Sequence, residues 1–352
     1  MGLTAKERVL AQIHHQETDH LPYTIRFEGD VEARLDAHYG SDAWRRLVDN
    51  AIVRIRGPNL LMSDLPPTRS YRDPYGTVWR TDLRPYHMVE PALPAASLAG
   101  YRFPPLDAIF APDWQQRARR ELAAARDHFT VAVLGAGIWE RAWALRGFAE
   151  LLLDVAAEPD FAEELIEQVT EHQMQIVERL LALPFDGILF MDDWGHQRGL
   201  LLGARRWRKL LKPRWARAYA QVHQAGKYVL HHCCGSIAEI MDDLIEIGVD
   251  VLESVQPEAE GMNPYELKRR FGQGITFWGG LGSQSLIPFG RPEEIRAEVE
   301  RLCREMGRGG GYILSPAKPL QPETPVENAA AVVESFLQQA GARLAAALPQ
   351  QG

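Results

Sequence analysis

Short β-branched runs that alternate with helical stretches constrain this chain more than any other feature. Six of them follow residue 128: "FTVAVLGAG", "FDGILFMDD", "KYVLHHCC", "VDVLESV", "ITFWGGL" and "GGYILSP". Amphipathic segments separate several of them. From Pro159 to Leu183, for example, Leu165, Val169, Ile176 and Leu180 fall on one helical stripe. Strands that alternate with helices are joined by crossovers, and crossovers make them parallel. Upstream, "PYTIRF" and "AIVRIR" offer two more strands. Eight such units predict an α/β fold of the (β/α)8 TIM-barrel type, with a doubly wound open sheet as the alternative. No G-x-G-x-x-G opens any helix, so a dinucleotide-binding half is not supported. Residues 70–92, "SYRDPYGTVWRTDLRPYHMVEPA", read as an antiparallel excursion that turns at Pro74–Gly76. No internal repeat, low-complexity tract or linker interrupts the chain, so residues 1–352 are expected to form a single domain.

Composition narrows the class of function. With 46% hydrophobic residues the chain can build a large core. The net charge of −8, with no block of like charge, argues against nucleic-acid and anionic-membrane partners. Three cysteines, two of them adjacent, cannot form a disulfide framework. The segment "MGLTAKERVLAQIHHQETDH" is charged from its start, unlike a signal peptide. No apolar run reaches the roughly 20 residues that span a bilayer. The expectation is a soluble, cytoplasmic protein acting on a small molecule, compatible with a homodimer.

Barrel enzymes carry their chemistry at the C-terminal ends of the strands, and polar residues gather there in this sequence. Arg26 and Glu28 stand at the end of the first run, Glu140 and Arg141 beyond the third. Asp192, Asp193, Trp194 and Gln197 follow the next, then His232 and Cys234, then Glu253 and Gln256. Lys318, one of only six lysines, lies shortly after the last strand. Asp192 and Asp193 occupy opposite strand faces, so one of the two is expected in the pocket. Trp278 beside Gly279–Gly280 suggests close approach of backbone to a ligand or a tight packing contact. His196, His223 and His231 are read as structural.

The doublets in "HHCCG" divide by strand alternation. His232 and Cys234 share one face, and His231 and Cys233 share the other. Ser236 with Glu239 has the form of a capping box, which would make Cys234 the last strand residue, and Gly248 sits where a helix C-terminal cap would be. An imidazole and a thiol two residues apart can bind one Zn2+ at about 2.0–2.1 Å and 2.3 Å. Two other roles remain open for Cys234: core filler, or nucleophile with His232 as its base.

Four segments resemble a known family. They are "DDWGHQRGLLLGARRWRKLLKPRW", "HCCGSIAEIMDDLIEIGVDVLESVQPEAEGMNPYELKRRFG", "ITFWGGLGSQ" and "GGGYILSPAKPLQPETPVENAAAVVE". They are similar to the uroporphyrinogen decarboxylase superfamily, and more closely to its methyltransferase-like branch of methylcobamide:coenzyme M methyltransferases and corrinoid-linked O-demethylases. The likeness runs over roughly residues 130–335 and implies a (β/α)8 barrel. The substrate-binding Arg-Gln-Ala-Gly-Arg segment of true uroporphyrinogen decarboxylases has no counterpart in "YTIRFEGDVEARL".

The resemblance implies zinc on His-x-Cys plus a second Cys near the last strand. His232 and Cys234 match the first part; Lys318 stands where the second Cys would be. A carboxylate at a strand end, Glu140, Asp193 or Glu253, then becomes the expected further ligand. Glu140 is assigned that place, and Asp193, Glu253 and Lys318 are assigned catalytic roles. Arg26, Glu28, Arg141, Asp192, Trp194, Gln197, Gln256 and Trp278 are assigned to substrate binding. The implied activity moves a methyl group between a methoxy compound or thiol and a corrinoid on a partner protein. The alternative is decarboxylation of a small acid other than uroporphyrinogen, its carboxylate clamped by Lys318, Arg26 and Arg141.

Overall fold

A computed structural model describes residues 2–58, 67–83 and 86–342. Twelve strands are described: β1 (Ile52–Arg56), β2 (Tyr71–Arg72), β3 (Val78–Arg80), β4 (His87–Glu90), β5 (Phe129–Leu134) and β6 (Gly187–Met191), then β7 (Gly195–His196), β8 (Gly199–Leu200), β9 (Tyr228–His232), β10 (Val251–Val255), β11 (Thr276–Leu281) and β12 (Tyr312–Pro316). Seven of them make one parallel sheet in the order β1-β5-β6-β9-β10-β11-β12. The β5 sequence FTVAVL is buried at every position, as expected where helices cover one face and the barrel interior the other.

Residues 22–27 join the two edges of this sheet. Tyr23 forms a parallel bridge to Leu314 of β12, and Phe27 one to Leu320 beyond its end. On the opposite side the Ala51 N–H, next to β1, donates to the Tyr23 carbonyl at 2.9 Å. "PYTIRF" therefore supplies the eighth stave and closes the curled sheet. The excursion is also as expected, β2, β3 and β4 forming an antiparallel sheet, with residues 84 and 85 outside the described set.

Two apolar layers hold the barrel. Inside, Phe129, Val131, Val133, Leu189, Leu230, Val251, Trp278 and Ile313 pack together, and Ala5, Val9 and Ile13 of the first helix join the same cluster. That helix, Ala5–Ile13, starts at a reciprocal cap in which Thr4 and Glu7 satisfy each other's backbone N–H. Outside, helices such as Pro159–Leu181 bury Leu165, Val169, Ile176 and Leu180 against the strands. Each such side chain contributes about 1.5–3 kcal/mol on full burial. No helix among the described residues is long and apolar enough to cross a membrane.

One local expectation fails. β9 ends at His232, two residues before Cys234, and Ser236 caps no helix. A 3-10 turn at Ala238–Ile240 precedes the helix Met241–Glu246. The Ser236 N–H is instead taken by the His196 carbonyl of the β7–β8 hairpin at 2.8 Å. Tertiary packing overrides the capping signature here.

Candidate metal centre

The register of the parallel sheet sets the site. Met191, His232, Glu253 and Trp278 are partners across β6, β9, β10 and β11, at one level near the C-terminal ends. His232 Nε2 lies 3.3 Å from Cys234 Sγ and 3.8 Å from Asp193 Oδ1. The donor atoms of these three residues all fall within 4.8 Å of one another. Asp193 Oδ1 also accepts the Cys234 N–H at 2.7 Å, which ties the loop after β6 to the turn after β9.

Two glycines let those loops meet. A Cβ on Gly195 would lie 2.8 Å from the Cys234 carbonyl oxygen. Gly235 has φ +81°, and a Cβ there would lie 2.8 Å from the Gly195 carbonyl carbon. The hairpin thus braces the Cys234 turn directly, backbone on backbone.

Behind the imidazole runs a chain of charge. His232 Nδ1 bonds Glu253 Oε2 at 3.0 Å, and Glu253 Oε1 takes the Arg54 Nη2. The Arg54 guanidinium stacks 4.5 Å from the centre of the Trp278 ring, whose Nε1 donates to Thr24 at 2.9 Å. Burial opposes the charge of Glu253, but Arg54 and His232 outweigh it and hold its carboxyl well below the usual range. Burial likewise opposes the His232 cation, yet Cys234 and Glu253 hold its pKa well above the ordinary value. Burial, and then the charges of Asp193 and Asp192, push Glu140 well above an ordinary carboxyl.

The donor set fits zinc. Bonds of about 2.0–2.1 Å to nitrogen, 2.3 Å to sulfur and 2.0–2.2 Å to oxygen, at tetrahedral angles, would space the donors roughly 3.3–3.6 Å apart. The observed 3.3 and 3.8 Å are close to that. With its Nδ1–H donating to a carboxylate, His232 would offer Nε2 to a metal that displaces the proton there, the orientation ligating histidines take. A dication with one thiolate and one aspartate would be charge-neutral, and three protein donors leave one position open.

A family model for uroporphyrinogen decarboxylase matches residues 115–338, well over half of the chain. The chain belongs to the uroporphyrinogen decarboxylase family. Curated family members named uroporphyrinogen decarboxylase are similar to it. One from Thermus thermophilus is 28% identical over 171 residues, 48% of this chain and 46% of that protein. One from Anaeromyxobacter sp. is 25% identical over 191 residues, 54% and 51% of the two chains. The match spans about half the length of these relatives. Among solved structures, a methyltransferase from Methanosarcina mazei superposes with a TM-score of 0.67 at 21% identity, over 96% of this chain and 99% of that one. This likeness is one of fold, and it agrees with a barrel closed by residues 22–27.

Within this family member, the strand-end residues separate into those the fold brings to the centre and those it uses elsewhere. Asp193, His232 and Cys234 form the donor group, whereas Glu140, expected as a ligand, is not part of it. Glu253 stands behind His232, and Arg26 reaches to 4.0 Å from Glu253 with its side chain 45% exposed. Lys318 is exposed and forms no hydrogen bond or ion pair among the described residues, so nothing ties its charge to the donor group.

Asp192 is fully buried, on the opposite strand face from Asp193. It accepts the N–H groups of Trp139 and Glu140 at the start of the helix Ile138–Arg146, plus Trp194 Nε1. Its carboxyl is occupied in holding that helix start; burial raises its pKa to about 7 in spite of those three donors. Trp194 is likewise wall: it stacks 4.2 Å from His231, whose Nδ1 meets the Tyr219 hydroxyl at 2.6 Å. Arg141 is buried against Tyr75 and Asp73 of the excursion. Trp278 is completely buried inside the barrel. Gln256 is buried with its Oε1 on the Gly235 N–H at 3.1 Å, bracing the Cys234 turn. Gln197 is exposed at the hairpin tip, and Glu28 pairs through its backbone N–H with the Leu320 carbonyl.

Arg54 was not anticipated. Its signal was present: in "IVRIR" it occupies the middle of a strand, two residues from Ile52 on the inward face. An arginine there needs a buried partner, and Glu253 provides it.

Proposed function

We propose that this protein is a methyltransferase that moves a methyl group between a small methoxy compound or thiol and a corrinoid carried by a partner protein, with zinc held by Asp193, His232 and Cys234. The observation that carries the reading is the donor group at the barrel mouth with Glu253 behind its histidine. The fold shared with a methyltransferase supports it. When bound there, zinc would supply Lewis acidity, lowering the pKa of a thiol or polarising a methoxy oxygen.

The chain's own residues divide the rest of the work. Arg54 keeps Glu253 ionised, and Glu253 fixes the His232 ring and its tautomer. Glu140, whose carboxyl is pushed up by burial and by the charge of Asp193, is assigned here as the proton donor. For a methoxy substrate the carbon–oxygen bond breaks and its electron pair stays on oxygen. The methyl carbon would go to the acceptor that the partner carries, and the Glu140 carboxyl would deliver its proton to that oxygen. The hairpin and Gln256 keep the Cys234 turn in place throughout.

A second reading, decarboxylation of a small acid, draws support from the half-exposed Arg26 guanidinium. It is weakened by Arg141, which is spent on Tyr75 and Asp73 instead of the pocket. Incubation with free methylcobalamin and a thiol separates the two. The first reading expects loss of the methylcobalamin spectrum in proportion to protein, abolished in Cys234→Ser. Carbon dioxide release from candidate acids, with methylcobalamin untouched, would refute it.

A further inference from the structure

The helix Gly203–Leu210 carries four cations in the short sequence "ARRWRK", and two of them have no visible purpose in the fold. Arg208 is held by Asp243 at 2.9 Å and Lys209 by Glu163 at 3.1 Å. Arg205 and Arg206 are exposed and have no hydrogen bond or ion pair among the described residues. They stand in the first turn of a helix that has no acidic residue and no side-chain cap there. Cations at that end oppose the helix dipole, so helix stability does not account for them.

Both arginines line a cleft of about 580 Å3, with Lys209 and one acidic residue, Glu239, as its other charged lining, which leaves it net positive. Val155, Ala162, Leu202 and Leu210 form an apolar part of its lining. The cleft lies at the C-terminal rim of the barrel. Its helix begins three residues after β8, and the hairpin that contains β8 braces the Cys234 turn through the Ser236 N–H and the His196 carbonyl. A body seated in the cleft would therefore stand beside the loops that carry Asp193 and Cys234.

We propose that this cleft is a docking groove for a partner protein presenting an acidic segment with apolar side chains, its carboxylates on Arg205 and Arg206 and an apolar residue on the floor. Charge complementarity identifies the occupant. The chain as a whole carries −8, so its net charge disfavours an acidic partner in general, and these two unpaired arginines are where such a partner is favoured. Attraction of this kind fixes orientation as well as encounter rate. A nucleic acid is the poorer fit, because two free cations over an apolar floor do not make the basic stripe that a phosphate backbone needs. The groove stands on charge and shape alone and holds whatever reaction the centre performs.

The test uses the full chain and a short fluorescent peptide with Glu on one helical face and Leu on the other. Fluorescence anisotropy is read at low and at raised salt. The expected result is binding that weakens with salt and falls at least about tenfold in the doubly charge-reversed R205E/R206E protein, a change worth about 1.4 kcal/mol. Arg304→Glu with Arg308→Glu, on a different part of the surface, should leave it unchanged. Because Arg205 and Arg206 are exposed and unpaired, the reversal should not affect folding, which circular dichroism checks. Equal binding by wild type and R205E/R206E overturns the proposal. So does equal binding of an all-Glu peptide, which would make the cleft an anion patch, or preference for single-stranded RNA. Binding is read without turnover, so this result and the methylcobalamin result fail independently.

Discussion

Replacing Glu253 by Gln probes the charge chain behind the candidate centre. The Glu253 side chain is 7% exposed and that of Arg54 14%, so both ends of the pair are largely desolvated. Gln keeps an acceptor for the His232 Nδ1–H but must turn its amide donor toward Arg54, which needs an acceptor. Losing such an outer partner weakens metal binding about 10- to 100-fold, or about 1.4–2.7 kcal/mol. Breaking a buried pair while leaving one charge behind costs about 3–5 kcal/mol of stability. The lower end is expected, because Arg54 keeps its stack on Trp278. Zinc affinity is measured by competition with a chromophoric chelator, and stability by urea denaturation of metal-free protein. The pH dependence has a definite sign. A carboxyl whose folded pKa is lowered contributes stability above its unfolded pKa, and that contribution is lost as pH falls. The gap between wild type and Glu253→Gln should therefore be widest near neutrality and close in acid. Zinc affinity within twofold of wild type would refute the assignment of Glu253 as the residue that positions His232.

Two further perturbations test the surrounding scaffold. Gly235→Ala adds a Cβ where φ is +81° and backbone atoms stand 2.8–2.9 Å away; a loss of at least about 2 kcal/mol is expected in urea, together with weaker zinc binding. Wild-type stability there would mean that the hairpin does not brace the Cys234 turn. His172 is buried beside Arg141, and burial lowers its pKa to about 4 from 6.5. The unfolded chain binds the extra proton in that window, so stability falls as pH drops from about 6.5 toward 4. Relative to His172→Phe, the wild type should lose about 2–3 kcal/mol between pH 7 and pH 4 in denaturation experiments; parallel pH profiles would contradict the buried neutral imidazole.

Much of the architecture was legible because parallel barrel strands are buried on both faces and write themselves as continuous apolar runs. All six downstream runs became strands of the main sheet, and "AIVRIR" became β1. His232 and Cys234 do lie 3.3 Å apart, but Cys234 is two residues past the end of β9, so the turn and not strand alternation places it. What could not be read was which of several carboxylates a fold would turn inward. Asp193 rather than Glu140 joined the donor group, and Asp192 turned out to take the backbone N–H groups of Trp139 and Glu140 and fix that helix start. The Ser236–Glu239 signature failed for a related reason: a hairpin from a different crossover claims the Ser236 N–H. Trp194 and Arg141 read as pocket residues from their place in the strand-end blocks, but stacking on His231 and on Tyr75 absorbs them into the wall. Arg54 shows the reverse error, where an inward-facing charge was visible in "IVRIR" and its buried partner lay 199 residues away.

The central claim is that Asp193, His232 and Cys234 hold one zinc ion. Metal analysis of the purified protein, beside Cys234→Ser, Asp193→Ala and the exposed Lys318→Ala, tests it most directly. One zinc per chain is expected in wild type and in Lys318→Ala, with loss from the other two while their folds persist by circular dichroism. A wild type that takes up no zinc at neutral pH, or a Cys234→Ser protein that binds it as tightly as wild type, would contradict the account.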